Sequence, residues 1–111
     1  MAQTYDISID QGADFIVSFD FSPRDLTGCT ARFQARQDFD SKQPVLSGTS
    51  PGMLTISGPH LQFHVPASAS TAIPFKGEVL DLVYDLEVVW PNSLVERIVQ
   101  GAMTINREVT R

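Results

Sequence analysis

His60 and His64 are the residues best suited to bind a metal or move a proton, and they stand four apart in a stretch of alternating apolar and polar residues. On one extended strand they would share a face about 13 Å apart, too far to hold one ion between them. A turn could shorten that span, but histidines on a surface or flanking a hairpin are the simpler reading. Asp6, Asp10, Asp14 and Asp20, with Asp38 and Asp40 as a second group, raise the question of calcium. Their spacing lacks the central glycine and closing glutamate of a calcium loop, and solvated strand faces and turn caps account for them. There is no glycine-rich phosphate loop, no nucleophile elbow and no Cys/His metal spacing. Cys29, the single cysteine, lies in an alternating stretch and reads as a buried free thiol made in a reducing compartment. The expectation is a protein without catalytic residues, cofactor or metal.

Contact surfaces are the other chemistry available. Phe15, Phe19, Phe21, Phe33 and Tyr84 fall on the apolar side of alternating segments and read as core. Phe39 and Phe75 lie in connecting segments, and Trp90 ends a strand just before Pro91, so these three are the candidate interface anchors. Arg32 and Arg36 fall on the outward side of their strand, as solvated residues or as a rim contact to an acidic neighbour.

Bulk properties narrow the partners. The 111 residues carry a net charge of -5 with no run of Lys or Arg, which argues against nucleic acid. No apolar run approaches the roughly 20 residues that cross a bilayer, and the start MAQTYDISID has neither a basic region nor an apolar core of a signal peptide. A soluble product with no membrane partner is expected. The length suits one domain over 1–111 with a single core.

The elements that must position these residues are almost all strands. Period-two alternation recurs between Gly and Pro punctuation and predicts eight of them. They are Thr4–Ile9, Asp14–Phe21, Cys29–Gln37, a short edge strand at Val45–Leu46, Leu54–Ile56, Leu61–Val65, Val79–Trp90 and Leu94–Ile105. A hairpin joins Leu54–Ile56 to Leu61–Val65, and Ala67–Ile73, capped by Ser68, is the one helical turn, bridging two sheets. Gly101 interrupts the last strand and predicts a bulge or a close backbone approach. This pattern fits an immunoglobulin-like antiparallel β-sandwich of about seven to eight strands, without the Cys-Trp-Cys core of antibody domains.

Four stretches in this order resemble a family of small virion proteins of tailed bacteriophages. They are Gln11-Gly12-Ala13-Asp14-Phe15, Asp25-Leu26-Thr27-Gly28-Cys29-Thr30-Ala31-Arg32, Tyr84-Asp85-Leu86-Glu87-Val88, and Gln100-Gly101-Ala102-Met103-Thr104-Ile105 with Glu108-Val109-Thr110-Arg111. The order is similar to that in immunoglobulin-like domains of phage baseplate upper proteins. The resemblance implies a non-enzymatic part of a tail, baseplate, neck or head surface, assembled in the bacterial cytoplasm in many symmetric copies. Its partners would be other phage structural proteins and copies of itself. A capsid decoration protein and a free-standing carbohydrate- or surface-binding module are the alternatives. Extended ends that add a strand to a neighbour would suit such a role, with Met1, Ala2, Gln3 and Thr4 as one arm and Asn106, Arg107, Glu108, Val109, Thr110 and Arg111 as the other.

Overall fold

Alternation along the chain becomes two sheets packed face to face. The computed structural model describes residues 2–109. Its elements are β1 (Gln3–Thr4), β2 (Ile7–Asp10), β3 (Phe15–Asp20), β4 (Thr30–Arg36), β5 (Leu46–Thr49), β6 (Leu54–Ser57), β7 (His60–Val65), α1 (Ala67–Thr71), β8 (Val79–Val89) and β9 (Val95–Asn106). The larger sheet has the order β1-β9-β8-β4-β5, with β2 also on β9, and the smaller has the order β3-β7-β6. This is an all-β sandwich in which the first strands lie beside the last. The remaining pairs are antiparallel, as expected of the sandwich, while β1 and β2 pair parallel to β9. They occupy the free edge of β9, where the chain runs in the same direction as β9 before crossing to the smaller sheet.

The core lies between the sheets, where inward positions meet. Phe33 of β4 and Phe63 of β7 stack at 4.6 Å between ring centroids, with Phe15 against Phe63 and Tyr84 against Phe33. Leu82, Tyr84, Leu86 and Val88 of β8 are all buried, as the alternation of that central strand requires. Each fully buried Leu, Val or Phe contributes about 1.5–3 kcal/mol of transfer free energy, so this layer dominates the fold's stabilisation.

The expected first strand is split, which accounts for nine strands where eight were predicted. The Tyr5 N–H still donates to the Gln100 carbonyl at 2.9 Å, but the Tyr5 carbonyl turns away to accept the Tyr84 hydroxyl. Its place in the ladder is taken by the Asp6 carboxylate, whose Oδ1 accepts the Ala102 N–H at 3.0 Å. The turn of the chain brings Tyr5 onto Gly101, where a Cβ would sit 2.5 Å from the Tyr5 carbonyl oxygen. The close approach expected at Gly101 is therefore present. The bulge lies elsewhere: Leu86 faces Val99 and Glu87 faces Arg97, leaving Ile98 as the extra residue. Ile98 and Val99 are buried in succession, which explains the imperfect alternation of this strand.

The helical turn α1 is bounded by Pro66, and its expected cap at Ser68 is corrected, since no side chain within the turn caps it. Asp14 reaches over from the turn before β3 and accepts the Ala67 N–H at 2.8 Å. That bond, followed by the nearby His64, holds the Asp14 carboxyl below the usual carboxylate range. The buried Ser70 hydroxyl accepts the Gly12 N–H at 2.9 Å, and the Gln11 side-chain amide donates to the Ser70 and Ile73 carbonyls. The connection between the two sheets is thus tied to the β2–β3 turn.

Candidate functional site

The outer face of the larger sheet carries a lattice of charged and amide side chains set by strand register. Arg32 of β4 faces Glu87 of β8, which faces Arg97 of β9; one step along, Gln34 faces Asp85, which faces Gln100; next, Arg36 faces Val83. Outward positions on three adjacent strands therefore form rows across the sheet. Arg32 Nε lies 2.9 Å from Glu87, and Arg97 Nε lies 3.2 Å from Asp85. Arg97 also donates to the Gln100 side chain at 3.2 Å. Arg36 donates to Gln34 at 2.6 Å and to the Ser41 carbonyl at 2.8 Å, drawing the loop after β4 back over the sheet.

This face holds a shallow groove of roughly 580 Å³, with Thr4 and Gly101 at the β9 side and Phe39 at the β4 side. Burial and the neighbouring Glu87 raise the Asp85 carboxyl above its ordinary value, against the opposing pull of Arg97, Arg36 and Arg32. Phe39 is 88% exposed. An aromatic ring left so open beside a lattice of hydrogen-bonding groups is what a contact surface needs.

The other two anchor candidates are placed differently. Phe75 is half-buried against the core and lines a separate hollow with Gln11, Ile73 and Arg107. Trp90 is half-buried at the β8–β9 turn; its Nε1 donates to Glu96 at 3.2 Å, and Arg24 lies 5.4 Å above its ring. Arg24 closes the triangle with a 2.6 Å bond to Glu96. That bond, with Trp90 as a lesser donor, holds the Glu96 carboxyl below its ordinary value. Leu94 beside this clasp is 64% exposed. Cys29 is partly exposed, not buried as expected, because it precedes β4 in the connection; desolvation still pushes its thiol upward, toward the protonated form.

The expectation of free arms is corrected for the parts the structure describes. Gln3 and Thr4 already form β1 on the chain's own β9, with Ala2 just before them. Asn106 ends β9 and donates to Ser8 and Asp10 at 3.1 Å. The Arg107 N–H donates to the Glu78 carbonyl and the Glu108 N–H to the Gln11 side chain. Gln3–Thr4, Arg107 and Glu108 thus take backbone partners within the chain, while Val109 is 93% exposed. Met1, Thr110 and Arg111 lie outside the described residues.

His60 and His64 do share a face, the outer face of the smaller sheet, but each has its own acid. His60 lies 3.7 Å from Asp20 and His64 lies 3.5 Å from Asp14. Among the described residues no group of three or more His, Cys, Asp or Glu is placed to hold a metal ion. Sequence reading singled out Phe39, Arg32 and Arg36 but missed Gln34, Asp85, Glu87, Arg97 and Gln100. Their signal was present as the outward phase of β4, β8 and β9; for Arg97 it was hidden by the bulge at Ile98, which brings that residue into line with Glu87. No protein-family model matches the chain, and no curated protein matches its sequence.

Proposed function

We propose that the chain is a non-catalytic docking module that holds a partner protein on the outer face of its larger sheet. Its setting, on the resemblance described above, is a phage particle, as an adaptor of the tail, baseplate or neck present in many symmetric copies. The observation that carries the docking reading is Phe39, 88% exposed at the rim of a groove lined by Arg32, Arg36, Asp85 and Arg97. Exposed aromatics next to arginines are the usual anchors of protein interfaces, since both bring large contact area with a polar handle. A rigid sheet beneath them lowers the ordering cost of association. A carbohydrate site would call for several exposed rings on one surface; Trp90 is instead held in its clasp at the β8–β9 turn.

Mass spectrometry of purified particles made from the genome that encodes the chain tests the setting. The chain is expected at a fixed, multiple copy number, and Phe39→Asp is expected to empty its positions while the free protein stays folded. Absence of the wild-type chain from the particles would overturn the virion reading, and full occupancy by the Phe39→Asp variant would overturn the surface assignment.

A further inference from the structure

Resting on that docking reading, we infer that the groove on the larger sheet selects an extended, acidic segment of the partner protein, with carboxylates received by Arg32 and Arg36 and an apolar side chain by Phe39. Charge is the first argument. The groove's lining, Arg32, Arg36 and Arg97 against Asp85 and Glu87, sums to +1, with Asp38 and Asp40 flanking Phe39 at its end, whereas the whole chain stands at -5. An acidic segment is thus repelled by most of the molecule and received here.

Unused donors are the second argument. Arg32 is engaged through Nε alone, by Glu87, and its two terminal nitrogens have no acceptor among the described residues. Arg97 gives one N–H of Nη1 to Gln100 and stands beside Asp85 as an ion pair at Nε, leaving its Nη2 N–H groups and the second N–H of Nη1. Arg36 gives one N–H of Nη1 to Ser41 and one of Nη2 to Gln34, leaving Nε–H and the second N–H of each terminal nitrogen. The guanidinium planes are fixed by these internal bonds and offer their remaining N–H groups to a carboxylate.

Spacing is the third. Arg32 and Arg36 lie on the same face of β4, about 13 Å apart at the usual strand rise. An extended peptide lying along β4 repeats that interval between its own residues i and i+4. Phe39, beyond Arg36 in the loop, lines the same groove as Val83, so an apolar residue two places beyond the second acid would meet an apolar surface there. The recognised pattern is an acid, three residues, an acid, one residue, then an apolar residue, all three on one side of a strand.

Chemical-shift titration of the ¹⁵N-labelled full chain tests this, using a serine nonapeptide with glutamate at its second and sixth positions and leucine at its eighth. Shifts are expected on β4, β8 and the loop bearing Phe39, with affinity at least 10-fold weaker when both glutamates become glutamine. A similar loss is expected in Arg32→Gln, whose pair with Glu87 is exposed and whose fold is checked by its unperturbed spectrum. Binding is also expected to weaken on raising salt from about 50 to 500 mM. Equal affinity for the glutamine peptide would overturn acid selection while leaving the docking surface standing. Equal affinity for a peptide with the glutamates adjacent would overturn the spacing, and shifts confined to other faces would overturn both this inference and the surface it rests on.

Discussion

Phe39 and Trp90 sit among the same kinds of neighbours and end in opposite states. At the β8–β9 turn, Arg24 and Glu96 bond each other and both engage Trp90, so arginine, acid and indole close into one clasp. On the larger sheet, Arg32 pairs with Glu87, Arg97 with Asp85 and Arg36 with Gln34, and the ring of Phe39 stays open at their edge. Strand register makes the difference. On the sheet, neighbours along and across the strands engage one another side by side and leave N–H groups over; at the turn, chain segments converge from two connections and trap the aromatic between them. On the docking reading proposed above, the clasp serves stability and the open face serves binding.

The strongest way to break that division is at the groove's own floor. Gly101→Val would force the Tyr5 carbonyl away and disturb the bond it accepts from Tyr84. A loss of about 3 kcal/mol in urea unfolding is expected, as for overpacking against a fixed backbone. A loss below about 0.5 kcal/mol would mean that the β1–β2 break is not structurally required.

Trp90→Ala is expected to cost about 2 kcal/mol, less than a fully buried Trp because the ring is only half covered. Docking on the larger sheet should be unchanged. A docking defect at unchanged stability would reverse the roles assigned to the two regions.

The two regions should also answer acid in opposite senses. Glu96 has a lowered folded pKa, so its stabilisation is present above the unfolded value and is lost as pH falls through the folded one. Asp85 has a raised folded pKa, so its ionised form costs stability at neutral pH, and that cost is relieved as pH falls through the folded value. Stability–pH curves are therefore expected to lose part of their acid limb in Glu96→Gln, and to show Asp85→Asn gaining on wild type at neutral pH relative to mild acid. Matching curves for the two variants would remove the electrostatic contrast.

Much of the fold was legible because alternation is a local signal. Leu82, Tyr84, Leu86 and Val88 declare a buried face with no knowledge of what covers it, and the Gly58-Pro59 hairpin follows from its turn residues, whereas the edge strand expected at Val45–Leu46 runs through Gly48 as Leu46–Thr49 because Gly48 pairs with Phe33. What stayed hidden depends on distant partners. Nothing near Tyr5 in sequence foretells that Tyr84 will take its carbonyl, and nothing near Ser68 foretells that Asp14 will cap the helical turn. The candidate site was half visible for the same reason. Phe39 stood out as an aromatic in a loop, but the lattice beside it exists only once β4, β8 and β9 are in register.

The smallest effect on stability is expected at Phe39 itself: Phe39→Ala should leave urea unfolding within about 0.5 kcal/mol of wild type, since the ring covers little. Its accessibility in the assembled state is the most direct test of the docking surface. In a Cys29→Ser background, a cysteine placed beside the ring by Asp40→Cys, which keeps Phe39 itself, would be labelled with a maleimide before and after assembly with the partner. Rapid labelling of the free protein and strong protection in the assembly are the predicted result. Equal labelling in both states would contradict the assignment of this face as the one that docks.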